Sequence, residues 1–266
     1  MKGRVLIAAG SDSSGGAGIQ ADIKAVTALG GYAATAITAL TAQNTRGVFG
    51  ILPVPPDFVV RQMRLMLDDI GADAVKTGML NSAEVIEAIV GVLVDYPQVP
   101  VVVDPVMVAK GGDRLLQETA ARALETRLLP RAHVVTPNAP EAEALTGMPV
   151  RDLDGMRRAA AKLLTFGPRA VLLKGGHVEG ATVTDLLLTA DGEETFTSAR
   201  IDTVHTHGTG CTLASALAAG IAQGLDLRAA VVRARTYVER AILTAPGYGT
   251  GHGPLNHAWP VTGNKP

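Results

Sequence analysis

The 266-residue chain carries 24 Lys and Arg against 25 Asp and Glu, a net charge of −1, so the counterion release that drives nucleic-acid binding is missing and no basic run marks a membrane surface. Hydrophobic residues make up 47% and aromatics 3%, which excludes global disorder and predicts a core of Ala, Val, Leu and Ile. The single cysteine, Cys211, excludes an intrachain disulfide framework and a Cys-based zinc site, and fits a reducing compartment. Met1-Lys2-Gly3-Arg4 precedes too short an apolar run for a signal peptide. The uncharged stretches 25–45 and 208–225 are broken by Gly, Thr, Ser or Gln, so neither spans a bilayer. A cytoplasmic protein with no nucleic-acid or membrane partner is expected.

In chain order, strands are predicted at Arg4–Ala9, Tyr32–Leu40, Ala74–Thr77, Val101–Asp104, Val134–Thr136 and Ala170–Lys174. Between them, 17–29, 56–69, 82–95, 114–128, 139–146 and 152–166 have helical spacing, with start signals at Asn81-Ser82 and Asp152. This alternation predicts an α/β fold with a mainly parallel sheet. Runs such as Val101–Asp104 stay apolar until a polar last residue, as buried parallel strands do, and ligands gather at such carboxyl ends. Thr182–Thr189 and Glu194–Arg200, linked by Ala190-Asp191-Gly192-Glu193, predict an antiparallel hairpin. Helices at 209–223 and 227–245 close one domain over 1–257, and 258–266 reads as a loose tail with no further fused domain.

The loop Gly10–Gly18 follows the first strand and opens the first helix. Gly16-x-Gly18-x-x-Ala21 matches a dinucleotide fingerprint, but no Asp or Glu falls between Asp22 and Asp57 to hold a ribose, and no Lys-Ser/Thr pair makes a Walker loop. The glycines instead allow close backbone approach to a ligand, or simply a flexible turn. Gly208-Thr209-Gly210-Cys211 starts a helix of small residues whose first-turn amides suit a phosphate, and the same dipole favours a Cys211 thiolate. Glu141 has two readings: a capping box with Asn138, or a carboxylate that joins Asp104 on Mg²⁺. His205-Thr206-His207 alternates too regularly to chelate a metal on a straight strand. Thr41–Thr45 reads as a loop after the second strand, and its amides suit a neutral heterocycle as well as they suit the loop's own backbone.

Taken together, Gly10-Ser11-Asp12-Ser13-Ser14-Gly15-Gly16-Ala17-Gly18-Ile19-Gln20-Ala21-Asp22, Thr38–Thr45, Lys76-Thr77-Gly78-Met79, Val103-Asp104-Pro105-Val106-Met107, Thr136-Pro137-Asn138 with Glu141, Leu173-Lys174-Gly175-Gly176-His177 and Thr206-His207-Gly208-Thr209-Gly210-Cys211 form a specific set. From Val5 to His257 the chain resembles the hydroxymethylpyrimidine/phosphomethylpyrimidine kinases of thiamine biosynthesis, in the ribokinase-like superfamily. The resemblance implies a three-layer α/β/α sandwich and two ATP-dependent phosphorylations, of 4-amino-5-hydroxymethyl-2-methylpyrimidine and then of its monophosphate. It implies that Gln43, Asp22, Gly10, Met79 and Val106 bind the pyrimidine, and that Lys174, Asn138 and Thr209 bind ATP. It further implies that Asp104 and Glu141 hold Mg²⁺, and that Gly208, Thr209, Gly210 and Cys211 form the catalytic anion hole. Cys211 stands where the wider superfamily usually has Asp. Lys110-Gly111-Gly112 resembles a flap, and a homodimer is implied. A pyridoxal or pyridoxine kinase and a non-catalytic pyrimidine sensor are the competing readings.

Overall fold

The computed structural model describes residues 1–107 and 118–262, so the expected Lys110-Gly111-Gly112 flap and the start of the helix expected at 114–128 lie outside the described residues. The strands are β1 (Arg4–Asp12), β2 (Tyr32–Asn44), β3 (Gly47–Pro53), β4 (Ala74–Thr77), β5 (Val101–Val103), β6 (Val134–Val135), β7 (Ala170–Leu173), β8 (Thr182–Thr189) and β9 (Gly192–Ala199). The helices are α1 (Gly18–Ala28), α2 (Pro56–Asp69), α3 (Ala83–Leu93), α4 (Glu118–Ala123), α5 (Ala139–Thr146), α6 (Leu153–Leu164), α7 (Thr209–Ala222), α8 (Leu227–Leu243) and α9 (Trp259–Thr262). Among the described residues the strands form one sheet in the order β3-β2-β1-β4-β5-β6-β7-β8-β9. Its centre is parallel. Antiparallel β3 extends one edge, and β8 and β9 extend the other.

Successive side chains of a strand point to opposite faces, so a strand covered by helices on both sides must be apolar throughout. β1 meets this condition. Leu6 and Ala8 join one buried cluster with α2, α3, α5 and α6, while Val5, Ile7 and Ala9 join a second with α1, α7 and α8. These two clusters are the two interfaces of a three-layer α/β/α sandwich. Each fully buried Leu, Ile or Val contributes roughly 1.5–3 kcal/mol.

Helix starts follow their capping residues. Ser82, Asp152 and Asp226 accept from the backbone amides of Val85 (3.3 Å), Gly155 (2.7 Å) and Ala229 (2.7 Å). α1 has no local side-chain cap. Its entry is held from Asp12, which accepts from the Ala17 amide at 2.8 Å.

The structure departs from the sequence reading in four places. Thr41–Asn44, expected as loop, is strand, because β3 pairs with it antiparallel and leaves an irregularity between Ala42 and Gln43. The run expected to be helical to 128 loosens into a π-helical turn at Leu124–Leu128 and a 3-10 turn at Leu129–Arg131, where Pro130 cannot continue an α-helix. The β8–β9 link is shorter than expected, since β9 begins at Gly192 with φ +143°. The expected loose tail begins as a helix. Trp259 Nε1 donates to Tyr237 O at 3.1 Å, and the two ring centroids lie 5.9 Å apart. Among the described residues no helix is long and apolar enough to cross a membrane.

Candidate active site

β2 lies on one side of β1 and β4 on the other, so the chain reverses direction across the sheet at β1. Such a switch point leaves a crevice beyond the carboxyl ends of the strands. A cavity of about 870 Å³ occupies it, reaching from Gly10, Gln43 and Met79 past Asp104, Asn138 and Lys174 to Arg235 and Glu239 of α8. Gly10, Gln43, Met79, Asp104, Val106, Asn138, Glu141, Lys174 and Gly208–Cys211 all line it.

The amino end of α7 forms one wall. Gly208 caps it at φ +81°, pressed so closely on the Gly10–Gly18 loop that a Cβ would overlap Gly16 O. Thr209 donates its hydroxyl to Thr206 O at 2.8 Å. First-turn amides have no partners within their own helix and carry the positive end of its dipole. Gly210 lacks a side chain where one would crowd the charged groups: a Cβ there would lie 3.1 Å from Lys174 Nζ.

Lys174 Nζ lies 2.9 Å from Asp104 Oδ1 and 3.8 Å from Glu141 Oε2. Burial disfavours the Lys174 ammonium, but the charges of Asp104 and Glu141 prevail and its pKa is raised. Both halves of the capping box are present. Asn138 Oδ1 accepts from the Glu141 amide at 2.9 Å, and Glu141 Oε2 accepts from the Asn138 amide at 2.7 Å. The two readings of Glu141 are therefore compatible, with one residue capping α5 and facing the cavity. Burial, opposed by Lys174 and reinforced by Asp104, pushes its carboxyl up to about 7. Two buried carboxylates open to this cavity fit a hydrated Mg²⁺, which takes one or two carboxylates together with substrate phosphates. Among the described residues no group of three His, Cys, Asp or Glu side chains forms a fuller metal cage, at His205 and His207 or elsewhere.

Two expectations need correcting. Asp22 is fully buried and absent from the cavity lining; it bonds Lys76 Nζ at 2.8 and 3.0 Å and Ser215 Oγ at 2.7 Å. Lys76 does line the cavity, so Asp22 stands behind the wall. Burial works against the Lys76 ammonium, but Asp22, Cys211 and Asp104 outweigh it and raise its pKa. Cys211 is the second correction. Burial pushes its thiol up to about 12, against the pull of Lys76 and the Gly18 amide, so the helix dipole does not yield a resting thiolate.

Sequence reasoning gave Asp12 and His207 no site role. Asp12 accepts from the Ser14 amide, the Ser14 hydroxyl and the Ala17 amide, each at 2.8 Å, and from His207 Nε2 at 2.8 Å. Burial opposes its charge, but His207 and Ser14 bring the carboxyl down to about 2. His207 Nε2 also lies 3.3 Å from the Gln43 carboxamide. The local signal was Asp12 two residues before Ser14, the spacing of an Asx turn. The contact with His207 spans 195 residues and had no local signal. The far end of the cavity was missed as well. There Asp185 accepts from the Gly175 amide at 2.8 Å and from Arg235 Nε at 2.9 Å.

A phosphomethylpyrimidine kinase family profile matches residues 12–256. The chain is 51% identical over 255 residues to the hydroxymethylpyrimidine/phosphomethylpyrimidine kinase of Streptomyces coelicolor, with 96% of this chain and 94% of that protein covered. It is 54% identical over 256 residues to a thiamine biosynthesis bifunctional protein of Geobacter sulfurreducens, covering 96% of this chain but 52% of that protein. Among solved structures, a Bacillus subtilis pyridoxal kinase in complex with ADP superposes with a TM-score of 0.90 at 36% identity, over 97% of this chain and 98% of that one. With the profile spanning nearly the whole chain and a relative of 51% identity matching it over 94% of its own length, the protein belongs to the phosphomethylpyrimidine kinase family.

Proposed function

We propose that this protein is an ATP-dependent kinase that phosphorylates 4-amino-5-hydroxymethyl-2-methylpyrimidine to its monophosphate and then to the diphosphate. One observation carries the reading: a single cavity joins an uncharged ring pocket at Gln43, Met79, Gly10 and Val106 to the amino end of α7 and the Lys174–Asp104–Glu141 group. The pocket holds the heterocycle with its hydroxymethyl group toward Cys211. Lys174, the Asn138 side chain and Thr209 take the nucleotide phosphates. Asp104 and Glu141 would hold Mg²⁺, which when bound offsets phosphate charge.

Phosphoryl transfer passes through a loose transition state, so positioning and charge stabilisation do most of the work. The amides of Gly208, Thr209 and Gly210 face the migrating group, and Lys174 balances the charge spread on its oxygens. Because burial pushes its thiol up to about 12, Cys211 orients the attacking oxygen as a neutral thiol. In the second step the attacker is a phosphate oxygen rather than the hydroxyl that Cys211 orients. The enzyme works in the cytoplasm as a homodimer. Exposed Phe49, Leu52, Phe58 and Leu65 on β3 and α2 support a subunit contact.

Phosphorus NMR with Mg-ATP and the hydroxymethylpyrimidine, beside a parallel sample with pyridoxal, tests the assignment. Monophosphate followed by diphosphate from the pyrimidine is the expected result. Turnover confined to pyridoxal, a reading favoured by the likeness to the Bacillus subtilis kinase, overturns it. A protein that binds the pyrimidine without consuming ATP returns it to a sensor.

A further inference from the structure

As placed, Gln43 Oε1 lies 3.1 Å from Thr41 Oγ1 and Gln43 Nε2 lies 3.3 Å from His207 Nε2. Oxygen and nitrogen of a carboxamide have the same shape, so the surrounding hydrogen bonds decide which is which. Thr41 Oγ1 also lies 2.9 Å from Ser11 O, a carbonyl that can only accept. The one hydroxyl hydrogen of Thr41 therefore goes to Ser11, and toward Gln43 the hydroxyl must accept. The Gln43 atom facing Thr41 is then the NH2, and the oxygen faces His207.

The His207 end agrees independently. Asp12 Oδ2, 2.8 Å from His207 Nε2, belongs to a carboxylate that already accepts from Ser14 and Ala17. A carboxylate only accepts, so Nε2 must carry a hydrogen whether the ring is neutral or charged. That single N–H points first to Asp12 at 2.8 Å and leaves Nε2 no lone pair for an NH2, so the Gln43 atom 3.3 Å away is the oxygen, the second and longer acceptor of a shared hydrogen. One orientation of the amide satisfies both ends, and the hydrogen bonds run in a single sense: the Gln43 NH2 to Thr41, Thr41 to Ser11, and His207 to both Asp12 and the Gln43 oxygen.

We propose that Asp12 and His207 are positioning residues that lock the Gln43 carboxamide with its oxygen toward His207 and its NH2 toward Thr41, and so set the order of donor and acceptor that the cavity offers to a ring edge. Two of the four hydrogen-bonding valences of the amide are spent on this lock. One N–H and one carbonyl lone pair remain in fixed order at the cavity wall. They match an aromatic edge with a ring nitrogen acceptor beside an exocyclic amine donor, and they oppose the same ring with a ring N–H beside a carbonyl. This deepens the proposed reading of the Gln43 pocket and rests on it.

The test measures kcat and KM for the 4-aminopyrimidine substrate and for its 4-oxo analogue, in the wild type and in Gln43→Ala, His207→Leu and His207→Asn. The wild type should prefer the amino ring in kcat/KM by at least about 100-fold, because the wrong edge leaves buried polar groups unpaired. In His207→Leu the amide is released, and that preference should fall to about tenfold or less through KM, with kcat nearly unchanged. His207→Asn, which keeps a side-chain N–H, should restore part of it. Equal loss on both substrates in His207→Leu means a merely structural role and overturns the inference while leaving the ring pocket intact. Unchanged KM in Gln43→Ala overturns the pocket reading itself. Long-range ¹H–¹⁵N spectra of the ligand-free wild type give a check that needs no variant to fold: Nε2 of His207 should carry a proton, and an unprotonated Nε2 refutes the lock.

Discussion

Removing one partner of the buried Lys76–Asp22 pair should unfold much of the margin by which this protein is stable. Both side chains are fully buried, 2.8 Å apart, and Asp22 has one further bond, from Ser215 at 2.7 Å. At an effective dielectric of about 20 the gross attraction at that distance is about 6 kcal/mol. Desolvation cancels much of it while the pair is intact, but an orphaned partner keeps its desolvation cost, so Lys76→Met should lose about 3–5 kcal/mol. For a chain of this size that is a fall in Tm of about 6–20 °C. Asp22→Asn should lose a comparable amount. The double variant should lose at least about 2 kcal/mol less than the sum of the two, because it orphans no charge. Urea denaturation of the four proteins measures the cycle. Additive losses would refute the pairing. A large rise in the pyrimidine KM of a fully stable Asp22→Asn protein would return that residue to the ring pocket.

Glu141→Gln preserves the capping-box geometry, so Tm should hold within a few degrees while the Mg²⁺ concentration for half-maximal rate rises about tenfold or more; an unchanged Mg²⁺ titration removes Glu141 from the metal. Cys211→Ala should slow the first phosphorylation more than the second in single-turnover assays. The wild-type first step should not climb tenfold per pH unit between about pH 7 and 9, the slope that a thiolate base with a pKa near 12 would impose. Burial and the charge of Lys24 hold His257 down to about 4 in the fold, against about 6.5 when unfolded. The unfolded chain therefore binds the extra proton at this site, and the His257 contribution to stability should fall as pH drops from about 6.5 toward 4, by up to about 3 kcal/mol, while the Glu141 carboxyl, held up to about 7, works in the opposite sense over the same range. The difference in denaturation free energy between wild type and His257→Gln, which removes the Glu141 effect common to both, should show the His257 slope.

The parallel strands were legible because their burial is total. Val5–Ala9 and Val101–Val103 have no polar interruption, and such runs admit few other structures. β3 was not, because its residues are mostly exposed and its pairing with β2 is tertiary. The charged residues at strand ends were legible as a group, and Asp104, Lys174 and Glu141 do meet. Which acid faces a ligand and which faces another side chain was not: Asp22 lies in α1 just after the glycine loop, a position that suits a ligand contact, yet its partner is Lys76, 54 residues away. For Cys211 the sequence supplies the sign of the helix dipole but not the depth of burial, and burial is the larger effect. Asp12 and His207 show the same limit, because each side chain is ordinary until the other arrives.

That last pairing also fixes when the protein can become active as it is made. His207 is synthesised 195 positions after Asp12, an interval of about 10–40 s at typical translation rates. Ser215 reaches Asp22 across 193 residues, and Gln223 reaches Leu29 across 194. Until α7 and α8 follow, one face of the central strand β1, with Val5, Ile7 and Ala9, lacks the two helices that complete its cover. The nascent chain must carry that apolar surface until those helices are made. Slow, non-local closure of this kind favours aggregation, so chains truncated before residue 207 should require a chaperone and bind no nucleotide.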